Sequence, residues 1–208
     1  SILVYLGFPA SVTEAMDTSG LAEAFEAGVR GIMMSDDNRF VALNLNTQRV
    51  IDNSVFTGRG YAAALDLMAG GVKGKTVGVV GCGPVGSAAA GWLMNAGAHV
   101  VLYDVVAPAA RLLRDLLSGS VNSDSGKTLS RVSVAGDDKV PGLDQVRYIL
   151  DATPVANAIP DTVLSDTTCV AAPGVPLGVS PTGYEKIASR LVHDKLEIGV
   201  ACMAVAML

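Results

Sequence analysis

Residues 74–104, GKTVGVVGCGPVGSAAAGWLMNAGAHVVLYD, constrain the fold more than any other part of the chain. An apolar run stops at three glycines, an alanine-rich segment follows, and a second apolar run ends at a carboxylate. The pattern predicts a strand over residues 76–80, a helix over 85–95 and a strand over 100–103. These elements form a βαβ unit whose glycine-rich turn lets a ligand approach the backbone.

Each residue of this turn has a physical reason to be there. Gly81 permits a tight turn, Gly83 lets the backbone approach a pyrophosphate, and Gly86 lets the helix pack closely on the strand. Pro84 suits the first helical position, where its missing N–H would have had no partner. Asp104 follows Gly81 by about twenty positions, so it can accept hydrogen bonds from a ribose and repel a 2′-phosphate. The spacing favours NAD over NADP; the alternative is that the glycines only form a tight turn.

Two more apolar runs, YILDATP and CVAAPG, are typical of parallel strands that are buried on both faces. Their closing turns, DATP and APGVP, could hold the nicotinamide end of a cofactor, or could be ordinary ends of strands. The sequence therefore predicts this set of cofactor-binding residues: Gly81, Cys82, Gly83, Pro84, Val85, Gly86, Asp104, Thr153, Pro154, Val155, Pro173 and Gly174.

The alternation of strands and helices predicts an α/β fold of the Rossmann type, with a doubly wound parallel sheet and a second, smaller α/β domain that is N-terminally incomplete. We expect that smaller domain over residues 1–58, the NAD-binding domain over 59–193, and a C-terminal helix packing between them over 194–208.

Within the smaller domain, ASVTEAM is predicted as a strand, TSGLAEAFEAGVR as a helix and GIMMS as a strand of one βαβ unit. Residues 40–57 are predicted as connecting structure. Further along, GYAAALDLMAGG, residues 111–117 and SPTGYEKIASRLV are predicted helices, and 118–127 a loop.

Charge and the spacing of cysteine and histidine limit the kinds of molecule that the protein can bind. The 208 residues carry a formal net charge of −5 and show no basic stripe, which argues against nucleic acid and anionic membranes and favours a small-molecule substrate. Cys82, Cys169 and Cys202 are widely spaced, which indicates a reducing cytoplasm and no metal site; His99 and His193 lack metal-ligand spacing. The first residues do not have the pattern of a signal peptide. The last apolar stretch is too short to span a membrane, but it could form the interface of a homodimer.

Polar residues that could contact a substrate follow the predicted strand GIMMS. Asp36, Asp37 and Asn38 come directly after it, and Asp52 and Asn53 lie near the expected domain boundary. Carboxylates at the end of a buried strand need a cation or water. A solvated turn is the alternative, but the chain offers no other candidate base, such as a Ser-His pair.

Several segments together resemble the PylD family of dehydrogenases, which perform the last step of pyrrolysine biosynthesis. They are GLAEAFEAGVRGIMMSDDNRFVALNLN, the TG pair at Thr57 and Gly58, the glycine fingerprint, DATPVANAIP, APGVPLGVS and GVACMAVAML, and they cover nearly the whole chain. The resemblance implies an NAD-dependent oxidation of the terminal amine in the methylornithine part of L-lysine-Nε-3-methylornithine. Ammonia leaves, and the resulting aldehyde closes onto the remaining amine to form the pyrroline ring.

The resemblance also implies residue roles. Asp36 and Asn53 would form the catalytic and substrate-binding site, and the backbone of 82–85, Asp104 and 153–155 would bind NAD. Hydride leaves only from a carbon that bears a neutral amine, so a carboxylate such as Asp36 or a water must hold the ammonium and take its proton. Asn53 would orient the substrate.

The sequence departs from the family in two places: an N-terminal helix and a Ser/Gly-rich stretch would precede Ser1, and the loop at 118–127 is longer than expected. Two other functions remain open at this stage. One is another amino-acid or shikimate-type dehydrogenase, although no lysine lies near SDDN to form the Lys-Asp pair of shikimate-type sites. The other is a regulatory domain that senses NAD without chemistry.

Overall fold

The computed structural model describes residues 1–119, 131–137, 140–194 and 196–208. They group into two compact units, one of Ser1–Thr57 with Leu196–Leu208 and one of Gly58–Lys195. The loop predicted over 118–127 lies outside the described residues from position 120 onward. In the described part of the chain, no helix is long and apolar enough to cross a membrane.

The larger unit is built on a six-stranded sheet in which every pair of neighbouring strands is parallel. The strands are β4 (Thr76–Val80), β5 (His99–Tyr103), β6 (Val132–Val134), β7 (Tyr148–Asp151), β8 (Cys169–Ala171) and β9 (Leu191–Val192). Their order, β6-β5-β4-β7-β8-β9, is that of a doubly wound dinucleotide-binding sheet. The predicted fold class is therefore confirmed.

The two central strands explain why the sheet is parallel and covered on both faces. Val77 and Val79 of β4 and Ile149 and Leu150 of β7 are all fully buried, as expected for strands without a polar face. The helices of this part of the chain are α3 (Asn53–Met68), of which residues 53–57 belong to the other unit, α4 (Pro84–Asn95), α5 (Ala107–Gly119) and α6 (Pro181–Ile187). The change in strand order falls between β4 and β7, where a ligand crevice is expected at the carboxyl ends.

The smaller unit contains an antiparallel sheet of order β1-β2-β3, formed by β1 (Gly31–Ser35), β2 (Phe40–Asn44) and β3 (Arg49–Asp52). Its helices are α1 (Ile2–Tyr5), α2 (Asp17–Glu26) and α7 (Glu197–Ala206). Ala42 and Ile51 of the sheet and Met203 of α7 form a buried cluster. The C-terminal helix thus belongs to the same unit as the N-terminal residues.

Two predictions for this unit were wrong. Residues 10–16 form no strand, because the amides of Glu14 and Ala15 donate to the Glu23 carboxylate of α2, at 3.1 and 3.0 Å, and the segment has no buried face. Residues 40–57 are not connecting structure, since they form β2, β3 and the first turn of α3. The predicted βαβ unit is absent because its first strand does not form, and β1 instead pairs antiparallel with β2 across a short turn.

Candidate active site

The glycine loop after β4 can be formed only with glycine at two of its positions. Gly81 has φ of +88°, and a Cβ there would lie 3.0 Å from Thr153 Cγ2. A Cβ on Gly86 would overlap the carbonyl oxygen of Gly81, so α4 packs directly against the loop that precedes it. At Gly83, in contrast, a Cβ would meet nothing within 4 Å. This backbone therefore has an open side, and the loop fits a phosphate group there.

The first turn of α4 continues this arrangement. Gly83 is the N-cap and Pro84 begins the helix, so the ring of Pro84 occupies a position whose N–H would have no helical partner. Ser87 ties the helix to the loop: its amide donates to Gly83 O at 2.8 Å and its hydroxyl donates to Cys82 O at 3.1 Å. The free amides at the start of a twelve-residue helix can bind an anion.

Asp104 follows β5 and connects it to the glycine loop. Its Oδ2 accepts a hydrogen bond from the Cys82 amide at 2.7 Å, and its Oδ1 accepts one from the Val106 amide at 2.8 Å. The Cys82 thiol is buried at this point, and burial, with the nearby Asp104 carboxylate, raises the pKa of the thiol to about 12. Asp104 thus places a carboxylate beside the glycine loop, where the fingerprint requires one.

The turns after β7 and β8 lie at the same edge of the sheet and contact each other. Thr153 donates to Asp151 Oδ1 twice, from its amide at 3.1 Å and from its hydroxyl at 2.7 Å. Gly174 is packed so closely that a Cβ there would overlap Thr153 O. Pro154 and Val155 are exposed on this turn. The structure therefore brings the predicted cofactor residues together at the carboxyl ends of β4, β5, β7 and β8.

In the smaller unit, Asp36 holds the turn between β1 and β2. Its Oδ1 accepts hydrogen bonds from the amides of Asn38 at 2.8 Å and Arg39 at 2.6 Å, and its own amide donates to Arg39 O at 2.9 Å. These two amides, that of Arg39 most of all, hold the pKa of the exposed Asp36 carboxyl below its ordinary value. The side chain is ionised and available to solvent, but it is a weak base.

Asp52 and Asn53 mark the start of α3. Asp52 pairs with Arg39, with Nη2 and Oδ2 2.7 Å apart, and accepts the Ser54 amide at 2.9 Å. Asn53 Oδ1 accepts the Thr57 hydroxyl at 3.2 Å. A Cβ on Gly199 of α7 would lie 2.8 Å from Asn53 Oδ1 and would overlap the Thr57 hydroxyl. The Asn53 amide is therefore positioned by one turn of α3 and by the surface of α7.

Sequence reasoning missed two polar residues of the larger unit. Asp151, at the end of β7, is fully buried, and His193, after β9, has Nδ1 2.8 Å from Ala172 O. A carboxylate ending an apolar strand, as in YILD, was a signal that could have identified Asp151. Nothing in the local sequence distinguishes His193.

Comparison with known proteins finds relatives of the chain along its whole length. Residues 1–51 match the profile of the family described as pyrrolysine biosynthesis protein PylD, N-terminal domain. The chain is 33% identical over 210 residues to the pyrrolysine synthase of Methanosarcina acetivorans, covering 100% of this chain and 74% of that protein. It is also 33% identical to the pyrrolysine synthase of Methanosarcina barkeri, covering 100% and 73%.

Solved structures show the same fold. Quinate dehydrogenase from Corynebacterium glutamicum in complex with NAD is similar with a TM-score of 0.62 at 16% identity, over 99% of this chain and 84% of that one. Shikimate dehydrogenase from Thermus thermophilus in complex with NADP(H) and shikimate gives a TM-score of 0.60 at 16% identity, over 99% and 83%. At this identity the likeness concerns the fold alone.

The doubly wound sheet and its glycine loop, together with these relatives, define an oxidoreductase of the dehydrogenase class. Within that class, the chain belongs to the pyrrolysine synthase (PylD) family. It is therefore a dehydrogenase of pyrrolysine biosynthesis, as the sequence predicted, and the reading as a sensor without chemistry is set aside.

Proposed function

We propose that the protein uses NAD to oxidise the terminal amine of L-lysine-Nε-3-methylornithine, with loss of ammonia and ring closure to pyrrolysine. The observation that carries the reaction is the 33% identity to pyrrolysine synthases along the whole chain. The local geometry supports it, because the larger unit has a loop suited to a dinucleotide and the smaller unit has an exposed, ionised carboxylate suited to an ammonium group.

The preference for NAD over NADP rests on Asp104. Its carboxylate lies against the glycine loop through the Cys82 amide, and the VVAPAA segment that follows contains no lysine or arginine. A 2′-phosphate at this point would meet the negative charge of Asp104, whereas ribose hydroxyls could donate to the carboxylate. We therefore assign the adenosine ribose of NAD to Asp104.

The other cofactor contacts follow from the loops at the carboxyl ends of the strands. The backbone from Gly81 to Gly86, including Cys82, Pro84 and Val85, binds the pyrophosphate, since it combines an open side at Gly83 with the amides of α4. The turns after β7 and β8 would hold the nicotinamide end through the remaining predicted residues: Thr153, Pro154, Val155, Pro173 and Gly174.

Asp36 and Asn53 are the substrate residues of the proposal. Since its pKa is lowered, Asp36 stays ionised when an ammonium group approaches, so it binds the cation and leaves the proton to a water molecule. Asn53 has its Oδ1 engaged with Thr57, which aims the amide nitrogen as a donor for a carbonyl or carboxylate of the substrate.

The proposed reaction has three steps: oxidation of the amine, hydrolysis of the iminium group and ring closure. NAD, when bound, would supply the hydride acceptor for the carbon that bears the amine, and an iminium group would remain there once the ammonium has lost its proton and the carbon its hydride. Water then adds to the iminium carbon and ammonia leaves, giving an aldehyde. The remaining amine attacks the aldehyde, water is lost, and the C=N bond of the pyrroline ring forms. No histidine is needed to accept a hydroxyl proton, because no hydroxyl group is oxidised.

The test mixes the purified protein with L-lysine-Nε-3-methylornithine and either NAD or NADP, and follows reduced-nicotinamide absorbance and product mass. We expect reduction of NAD, release of ammonia and a product of pyrrolysine mass. Asp104→Ala should weaken NAD binding roughly tenfold, the effect of losing a charge-assisted contact, and narrow its advantage over NADP. Reduction of NADP in preference to NAD would refute the assignment of Asp104, and NAD binding without turnover would refute the substrate.

A further inference from the structure

Within the described ranges, the carboxyl group of Asp151 has hydrogen-bond partners at only one of its two oxygens. It is fully buried at the end of β7. Oδ1 accepts both hydrogen bonds from Thr153, but Oδ2 is buried and has no partner among the residues that the structure describes. A buried polar atom without a partner is costly, so its retention calls for a reason.

The Asp151 carboxyl group fits in its place because the residue packed against it is a glycine. A Cβ on Gly178 would overlap Asp151 Oδ2, and its Cγ would be 2.8 Å away, so only glycine fits at position 178 while the carboxyl group keeps its place. The conformation of Gly178 is not left-handed, so glycine is needed there for space and not for backbone freedom. The Gly174 amide also donates to Asp151 O at 3.4 Å. Asp151 therefore touches both turns at the switch point of the sheet.

We propose that Asp151 is a positioning residue for the nicotinamide end of the cofactor: its buried carboxyl group locks the turn after β7 against the loop after β8. This inference rests on the proposed cofactor site. The lock acts through Thr153, which is held on one side by the Asp151 carboxyl group and on the other by the close approach of Gly174. Asp151 itself is too deeply buried to touch a ligand.

The contact between the turn after β7 and the loop after β8 depends on the protonation of the Asp151 carboxyl group. Burial raises the pKa of the Asp151 carboxyl, while the Thr153 hydrogen bonds and the charge of His193 lower it. Among the described residues around it, His193 is the titratable group that faces Asp151. When Asp151 ionises, Oδ2 carries charge against the Gly178 backbone, and the loop after β8 must open to let water reach it. Affinity for the nicotinamide end therefore falls as pH rises.

The experiment compares two ligands, NAD and ADP-ribose, which lacks the nicotinamide. Their dissociation constants are measured by calorimetry for the wild type, Asp151→Ala, Asp151→Asn and the matched control Asp166→Asn, which changes an exposed aspartate of the same unit. We expect Asp151→Ala to weaken NAD roughly tenfold and ADP-ribose by less than about twofold. Asp151→Asn keeps the acceptor for Thr153, so it should bind NAD well and lose the pH dependence.

Gly178→Ala provides a second perturbation that leaves Asp151 chemically intact. Its added Cβ should weaken NAD roughly tenfold in the wild type but by less than about twofold in an Asp151→Ala background, where the overlapping oxygen is gone. Equal losses of NAD and ADP-ribose, or the same cost of Gly178→Ala in both backgrounds, would overturn the positioning role. A wild type that binds neither ligand would instead refute the cofactor site, and the role of Asp151 with it.

Discussion

Two glycines of α4 should respond in opposite directions to the same substitution. A Cβ on Gly86 would overlap the Gly81 carbonyl oxygen and lie 3.0 Å from Gly81 C and 3.4 Å from Ala152 Cβ. A Cβ on Gly91, five residues along the same helix, would lie 3.6 Å from Leu117 Cδ2, which is ordinary van der Waals contact. Comparing the two substitutions therefore distinguishes the effect of close packing at the glycine loop from the general destabilisation that glycine causes in a helix.

The magnitudes follow from these distances. Gly91→Ala removes glycine from a helix interior and adds a methyl contact, so it should stabilise the fold by about 0.5–1 kcal/mol. Gly86→Ala gains the same helix propensity but forces the glycine loop away from α4, which should cost about 1–3 kcal/mol net. For a protein of this size these changes correspond to a Tm about 1–4 °C higher and about 2–12 °C lower, respectively.

Thermal unfolding by calorimetry measures both effects, and because both glycines lie in the larger unit they report on the same transition. NAD titration should show weaker binding for Gly86→Ala only, since that substitution moves the loop assigned to the pyrophosphate. A Gly86→Ala protein as stable as the wild type, with unchanged NAD affinity, would refute the reasoning. So would a Gly91→Ala protein that melts several degrees lower.

Three further predictions concern single side chains. Asp36→Asn keeps an acceptor for the turn amides but loses the charge, so the KM for the substrate should rise at least tenfold while NAD affinity stays unchanged. Asp36→Ala loses the acceptor as well, so it should also lower the Tm. An Asp36→Asn protein with the wild-type KM would show that Asp36 is not part of the substrate site. Gly199→Ala should displace Asn53 and raise substrate KM without affecting NAD binding, as steady-state kinetics with a parallel NAD titration would show. Because folding raises the pKa of Asp151, the unfolded chain loses this proton first, and the unfolding free energy should fall by up to about 1.4 kcal/mol per pH unit from about pH 4 to the raised pKa. Urea melts at a series of pH values should show that slope in the wild type and not in Asp151→Asn.

The dinucleotide half could be predicted from the sequence because its signals are local. The predicted strand over 76–80 matches β4, the helix over 85–95 matches α4 within one residue, and the strand over 100–103 matches β5 within one residue. Apolar runs broken by glycine and proline set these ends. The helix predicted over 111–117 was too short, because the Ala-Pro start of α5 resembles a turn.

The smaller unit was harder to predict because its strands are short and half-buried. In β2 only Ala42 is buried, so FVALN lacks a clear alternation. The turn before β3 is held by the Asn44 side chain, which accepts the Thr47 amide at 2.9 Å, and this bond is not visible in a hydrophobic pattern. A strand was likewise predicted in ASVTEAM, whose amides bond to a carboxylate eight and nine residues away.

The site divides in the same way. The placement of Gly81, Gly86 and Asp104 around the glycine loop could be predicted, since it depends on spacing within one βαβ unit. The partners of Asp151 and Asn53 could not, because Gly178 and Gly199 meet them through tertiary packing over long sequence separations. Their contribution appears only when close approaches are measured, and the glycines themselves look like ordinary loop or helix residues in the sequence.

The pKa of about 12 at Cys82 has a chemical consequence for the loop that carries it. At neutral pH this thiol therefore stays protonated and does not form thiolate, the form that attacks electrophiles and disulfides. The proposed reaction passes through an aldehyde, a group that reactive thiolates trap. A buried, protonated thiol in the glycine loop resists such trapping, so maleimide or iodoacetamide should modify Cys202, which is partly exposed, well before Cys82.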